Sequence, residues 1–388
     1  MSDEFVYFDH NATTSLDPQV LEAMLPWLAG QHGNTLSVHR AGRAAREAVE
    51  AARDQVASLL GADSLEVVFT ASGTEANNAV MFSVGLEHEH RGRLVIATLE
   101  HPSIRAAAER LEAQGMEVVR VPPGRDGVVP AEAVVAALDD STRLVCMMLA
   151  HNELGTLQPV AEVAAVCRDR GIPVLCDAVQ AVGKVPVRVK DLGVDFLTLG
   201  GHKFHGPLGV AALWIRSGTE LAPLLVGGGQ ERRRRASTLN VPAIVGLGVA
   251  SARAGAGLPE RYRHLAALRD QFEAGLGEIG DTVVHGATAA RLPNTSLVSF
   301  VGAEAQALMI RLDLAGFGVS TGSACSSGAV EPNKTLLAMG ASQAEAVSAL
   351  RVSFGVPNTP EEVAAFLAAL ESVVPDLRSA VPAGRASG

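Results

Sequence analysis

The sequence predicts an α/β protein with a large domain built on a mostly parallel sheet and a smaller α+β domain. Helix-period stretches and short apolar runs alternate from about residue 40 to about residue 215, and strands separated by helices pair in parallel and are covered on both faces. After about residue 255 the texture changes to long helical stretches with few strands. A chain of 388 residues also exceeds what one hydrophobic core usually organises. We place the large domain at residues 15–255, the small domain at 1–14 and 256–375, and a flexible Pro/Gly/Ala/Ser-rich tail at 376–388.

Taken in order, the spacing predicts helices over residues 40–60, 102–114, 130–138 and 159–170. Apolar runs at 66–70, 94–98, 117–121, 143–149, 173–176, 195–199 and 210–215 read as buried strands, and 295–300 and 349–354 as strands of the second domain. Ligands of such sheets bind beyond the carboxyl ends of strands, so residues just after each run are the candidates for chemistry.

Composition narrows the function. A net charge of −10 argues against nucleic-acid binding, which needs a dominant positive field; the run Arg232–Arg235 reads as solvated or as an intramolecular anion site. No apolar run approaches the roughly 20 residues of a membrane span, and the acidic start MSDEFVYFDHNATT lacks secretory features, so a cytoplasmic protein is expected. The cysteines Cys146, Cys167, Cys176 and Cys325 show no CxxC spacing, so no metal site is expected. The first three lie in strand-like or helix-like runs and read as reduced core residues. Among 32 basic residues only Lys184, Lys190, Lys203 and Lys334 are lysines, so a lysine here is favoured for amine chemistry over plain surface charge.

Five segments carry chemistry. In DFLTLGGHKFHG (195–206) a strand ends in glycines, His202 and Lys203. Only a primary amine condenses with an aldehyde, and desolvation makes it reactive; a turn lysine is the plainer alternative. In IPVLCDAVQAVGK (172–184) Asp177 ends a strand with Gln180 three residues on. A carboxylate there either caps a helix or pairs with a cation such as a protonated pyridine nitrogen, with Gln180 donating to the ring hydroxyl oxygen. In EVVFTASGTEANNAVM (66–81) Ser72, Gly73 and Thr74 open a helix, as an anion site or as a capping box from Thr74 to Asn77. In LEHPSI (99–104) His101 follows a strand, able to stack on a ring or simply to cap. In GVSTGSACSSGAVEPNK (318–334) Cys325 stands among Ser, Gly and Ala, as on an exposed loop.

Together YFDHNATTSLDP, GTEANN, EH, HNELG, DAVQ, GGHK, STGSACSSG with EP, and ALRVSFG resemble a cysteine desulfurase of the iron–sulfur assembly and nitrogen-fixation type, from about Tyr7 to about residue 372. The resemblance implies a class-V aminotransferase of the fold-type I family of pyridoxal 5′-phosphate (PLP) enzymes. It gives Lys203 the cofactor linkage and proton transfer, and His101 the ring stacking. Asp177 and Gln180 would hold the ring nitrogen and hydroxyl; Gly73, Thr74, His202 and the Thr238 of a partner subunit would hold the phosphate. Asn152 and Arg351 would hold the substrate carboxylate, and Cys325 would accept sulfur from L-cysteine, leaving L-alanine. It further implies a homodimer and a sulfur-acceptor protein such as an iron–sulfur scaffold, or a thio-cofactor or tRNA-thiolation enzyme. Gly200 stands where many relatives carry a phosphate-binding Ser, Ser237 replaces a common Gly, and Thr35 replaces a Pro. Another PLP lyase or aminotransferase, such as a selenocysteine lyase, and a silent scaffold are the competing readings. Cys325 argues against transamination, which needs no thiol, and Lys203 with Cys325 argues against a scaffold.

Overall fold

The computed structural model describes residues 5–322 and 331–380. The chain enters through a short strand β1 (Val6–Tyr7) and, after two helices (Pro18–Ala29 and Arg40–Leu60), builds the large sheet from β2 (Val67–Thr70), β3 (Arg93–Ala97), β4 (Glu117–Val121), β5 (Thr142–Met148), β6 (Val174–Asp177), β7 (Phe196–Gly200) and β8 (Ala211–Ile215). The order is β2-β8-β7-β6-β5-β3-β4, and β8 alone runs antiparallel to its neighbours. The central strands are buried on both faces, as expected where helices cover both. One face packs a core that includes Val49, Val56, Phe69 and Leu247; the other packs Val80, Ile96, Leu111 and Leu175.

Helix Arg40–Leu60 shows how sequence sets these layers. His39 caps its start, Gly61 ends it at φ +65°, and Ala45, Val49, Ala52, Val56 and Leu60 form its buried stripe. It lies so close to helix Val241–Ala256 that a Cβ on Gly248 would meet the Ala52 Cα at 2.6 Å, so only glycine allows the contact.

A second core gathers Phe8, Phe272, Phe300, Phe354 and Phe366 between helices Leu258–Gly275, Ala305–Leu314 and Pro360–Ala380 and a three-stranded antiparallel sheet. That sheet consists of β9 (Thr282–His285), β10 (Thr295–Phe300) and, after β11 (Phe317–Gly318), β12 (Ala349–Ser353), with β10 central. β1 pairs in parallel with β11, so the start of the chain joins this unit before residues 9–14 cross to the large sheet. The expected loose tail from 376 is corrected for residues 376–380, which continue the last helix. Leu377 packs on the second core, and the Arg378 guanidinium donates to the carbonyls of Val301, Ile279, Gly280 and Asp281.

Candidate active site

Because β2, β3, β5, β6 and β7 all point the same way, their carboxyl ends share one edge, and the segments that follow enclose a cavity of about 200 Å³. Gly73, Thr74, His101, Asn152, Asp177, Gln180, Gly200, His202 and Lys203 line it. All but Gly200 are residues that sequence had nominated, and they come from five separate strand ends.

The Lys203 Nζ donates to the carbonyls of Asn11 (2.7 Å) and Ala12 (2.8 Å). Burial, then the nearby Arg351 cation, lower its amine to about 8, so an appreciable fraction is uncharged near neutral pH. Lys203 is therefore a largely desolvated amine lining the cavity and not a solvated turn residue.

Asp177 is buried at the end of β6. Its Oδ2 accepts from Asn77 Nδ2 at 2.8 Å and its Oδ1 from the Val179 N–H at 3.0 Å, and among the described residues no cation pairs with it. The Gln180 Nε2 donates to the Asn11 carbonyl while its Oε1 accepts from Lys184 Nζ, leaving one amide hydrogen for a ligand. Lys184 itself is buried and also donates to Asn11 Oδ1 at 2.8 Å; burial, then Lys203 and Arg351, drive its amine well below the usual lysine range. Glu100 is pushed up to about 8 by burial and by Asp177 and is mostly uncharged at neutral pH.

Helix Gly73–Glu87 points its N-terminus at the cavity. Ser72, not Thr74, is its cap, accepting from the Glu75 N–H, so the expected Thr74–Asn77 capping box is replaced and both side chains are released for other partners. A Cβ on Gly73 would meet Val179 Cγ2 at 3.0 Å. His202 closes this end, its Nδ1 3.2 Å from Thr13 Oγ1; burial, then Lys203 and Lys184, lower it to about 4, so it is a neutral imidazole. His101 caps helix Pro102–Ala113, and its ring also lines the cavity.

Arg351 on β12 donates to the Asn152 carbonyl at 3.2 Å and pairs with Asp9 at 2.5 Å, and its buried Nε has no partner. Its backbone bridges to Ser320, beside the start of the segment that carries Cys325. Cys325 lies outside the described residues. Glu153 stands at both ends of that segment, against Gly322 and accepting from Asn333 Nδ2 at 2.8 Å. Cys146, Cys167 and Cys176 are buried free thiols raised by burial, as expected of core residues.

Thr238 does not line the cavity; it is exposed. In the arginine run, Arg235 pairs with Glu75 at 2.8 Å and Arg232 with Glu50 at 3.8 Å. Asp9, Asn11, Asn77, Ser103, Glu153 and Lys184 were not anticipated as site residues. All lie in or beside motifs noted above, but their roles depend on contacts between remote segments.

An unpaired buried carboxylate, a desolvated amine of lowered basicity, and a helix N-terminus beside a neutral histidine match the ring nitrogen, aldehyde and phosphate of PLP, so the residues fit that cofactor. The chain is 43% identical over 384 residues to a cysteine desulfurase of Cereibacter sphaeroides, covering 98% of each. It superposes on a solved NifS-like protein with TM-score 0.90 and 37% identity, covering 96% of this chain and all of that one. It also matches a structure titled "SspA in complex with cysteine", at TM-score 0.80 and 32% identity over 90% of this chain and 98% of that one. The match to the family described as Aminotransferase class-V runs over residues 6–366, through both cores and every strand, and the chain belongs to that family.

Proposed function

We propose that the chain is a PLP-dependent cysteine desulfurase in which Lys203 carries the cofactor and Cys325 accepts the sulfur of L-cysteine. The observation that carries this reading is the convergence of Lys203, Asp177 and His101 on one cavity, with Arg351 beside it and the Cys325 segment leaving from Arg351's bridge partner. Cys325 is three positions after Gly322, a reach of at most about 11 Å. The cysteine-bound relative supports the substrate.

When bound, PLP acts as an electron sink for the pair left as the Cα proton departs. Lys203, with its lowered amine, accepts that proton, and Asp177 keeps the ring nitrogen protonated. Gln180 donates its free amide hydrogen to the ring hydroxyl oxygen, and Gly73, Thr74 and His202 hold the phosphate. Asn152 and Arg351, whose Nε is an unused donor, hold the substrate carboxylate. L-cysteine and the Cys325 thiol become L-alanine and a persulfide: a C–S bond breaks, an S–S bond forms, and no outside oxidant is needed.

A homodimer would bring the partner's Thr238 to the phosphate. Helix Pro18–Ala29 carries an outward stripe of Leu21, Leu25 and Leu28, and Leu36 is exposed in a hollow shared with residues 229–232 and Leu239, the turn that leads to Thr238. The persulfide would pass to a sulfur-acceptor protein such as an iron–sulfur scaffold. Mass spectrometry after incubation with L-cysteine should find one added sulfur on Cys325, and Cys325→Ser should bind PLP yet yield almost no alanine. Normal alanine production by that variant would replace the desulfurase reading with a direct lyase.

A further inference from the structure

A chain of hydrogen bonds runs from Asp177 to His101 through two residues not yet given a role. Asn77 is buried on helix Gly73–Glu87, and its Nδ2 donates to Asp177 Oδ2 at 2.8 Å and to Ser103 Oγ at 3.0 Å. One amide nitrogen carries two hydrogens, so both are used. Its Oδ1 is buried without a partner, an arrangement that costs free energy and persists because turning the amide would set Oδ1 against the Asp177 carboxylate. With Ser103 Oγ already accepting from Asn77, the Ser103 hydroxyl is free to donate to His101 Nδ1, 2.8 Å away. The Ser103 backbone N–H donates to the same nitrogen at 3.1 Å.

We propose that Asn77 and Ser103 are positioning residues that pass the direction of hydrogen bonding imposed by Asp177 on to His101, holding its ring neutral with Nδ1 as a double acceptor and the proton on Nε2. Protonation at Nδ1 would set its N–H against the fixed Ser103 N–H and force the Ser103 hydroxyl to turn from donor to acceptor. Nε2 is then the nitrogen left for a ligand in the cavity. Burial, the largest influence, lowers the ring from the ordinary imidazole range; of the charged groups, Asp177 favours the imidazolium and Lys203 and Arg105 oppose it. Asp177 therefore acts in two senses: its charge pulls a proton toward His101, while the chain of hydrogen bonds keeps that proton off Nδ1. What this means for catalysis rests on the PLP reading above; the hydrogen-bond chain does not.

The test is long-range proton–nitrogen NMR of histidine-labelled holoenzyme, titrated with pH, the His101 signals being assigned by their loss in His101→Gln. Wild type should show an unprotonated Nδ1 and a protonated Nε2. Ser103→Ala removes one of the two donors and should raise the His101 midpoint by about 0.7 pH unit, roughly fivefold in acid dissociation, while Ser103→Thr restores it. Asn77→Asp makes residue 77 an acceptor, turns the Ser103 hydroxyl away from the ring, and should raise the midpoint at least as far. An unchanged midpoint in Ser103→Ala, or failure of Thr to restore a shifted one, would overturn the proposal. The visible absorbance of PLP bound in the same samples reports separately on the cofactor reading, so the two can fail independently.

Discussion

Replacing Glu231 by Gln should destabilise the protein by about 3 kcal/mol, because it strands a buried guanidinium. Arg53 and Glu231 are a two-pronged pair, both bonds 2.8 Å, with side chains 3% and 1% exposed. Glu231 Oε2 also accepts from the Phe69 N–H of β2, which ties residues 230–238 to the edge of the large sheet. Breaking a buried pair from one side costs about 3–5 kcal/mol, and the lower end applies because Glu50, half exposed, still reaches Arg53 at 3.2 Å. The pair also offsets strain, since Glu231, Arg232 and Arg233 hold φ of +46°, +53° and +65°. Urea denaturation followed by tryptophan fluorescence is well placed to read this, as Trp214 sits on β8 against β2. The double variant Arg53→Met/Glu231→Leu removes both charges and should recover most of the loss. A cost below about 1 kcal/mol for Glu231→Gln, the value of an exposed pair, would refute the reasoning.

Ser237 holds φ +115°, where a Cβ is strained, so Ser237→Gly should stabilise by about 1 kcal/mol and raise the melting temperature by a few degrees; an unchanged or lower value counts against it. A Cβ on Gly200 would sit 3.5 Å from Val179 Cγ1 and 3.7 Å from His202 Cδ2, ordinary contacts. Gly200→Ser should therefore fit, add a phosphate donor, and tighten PLP by about 1.5 kcal/mol, roughly tenfold, in a fluorescence titration of cofactor-free protein; weaker binding would mean the serine does not face the phosphate. His151 is buried and lowered to about 4, chiefly by burial. The unfolded chain takes up its proton first as pH falls, so stability from this neutral ring is full above about 6.5 and lost toward 4, about 2 kcal/mol of it between pH 7 and 5. Denaturation at those two pH values should show a smaller difference in His151→Asn than in wild type, and equal differences would exclude His151 as a contributor.

The strands were legible because a sheet buried on both faces forces unbroken apolar runs, as in RLVCMMLA and IPVLCD, and the site was legible because those runs end where the chemistry begins. The reversed direction of β8 was not, since an antiparallel neighbour buried on both faces has the same composition as a parallel one. Thr74 reads as a cap as readily as Ser72 does, and only the observed Ser72–Glu75 bond decides between them. Lys184 was visible as one of four lysines. Its partner Gln180 lies four residues away, but Asn11 became its partner only once residue 11 had crossed from one core to the other, a pairing 173 positions apart that no local pattern encodes.

That crossing makes Asn11 a shared joint. Its carbonyl takes hydrogens from Lys203 and Gln180, its side chain from Lys184 and Asn294, and it gives hydrogens to Thr295, Asn152 and Ser353. When a ligand engages the Lys203 amine, the carbonyls of Asn11 and Ala12 lose a donor, so the leading segment must settle anew. By reciprocity, whatever free energy that readjustment carries is returned in the affinity for the ligand. Residues 9–12 thus act as a joint between the second core, which holds Phe8, and the Lys203 amine, so a change that shifts them reaches both.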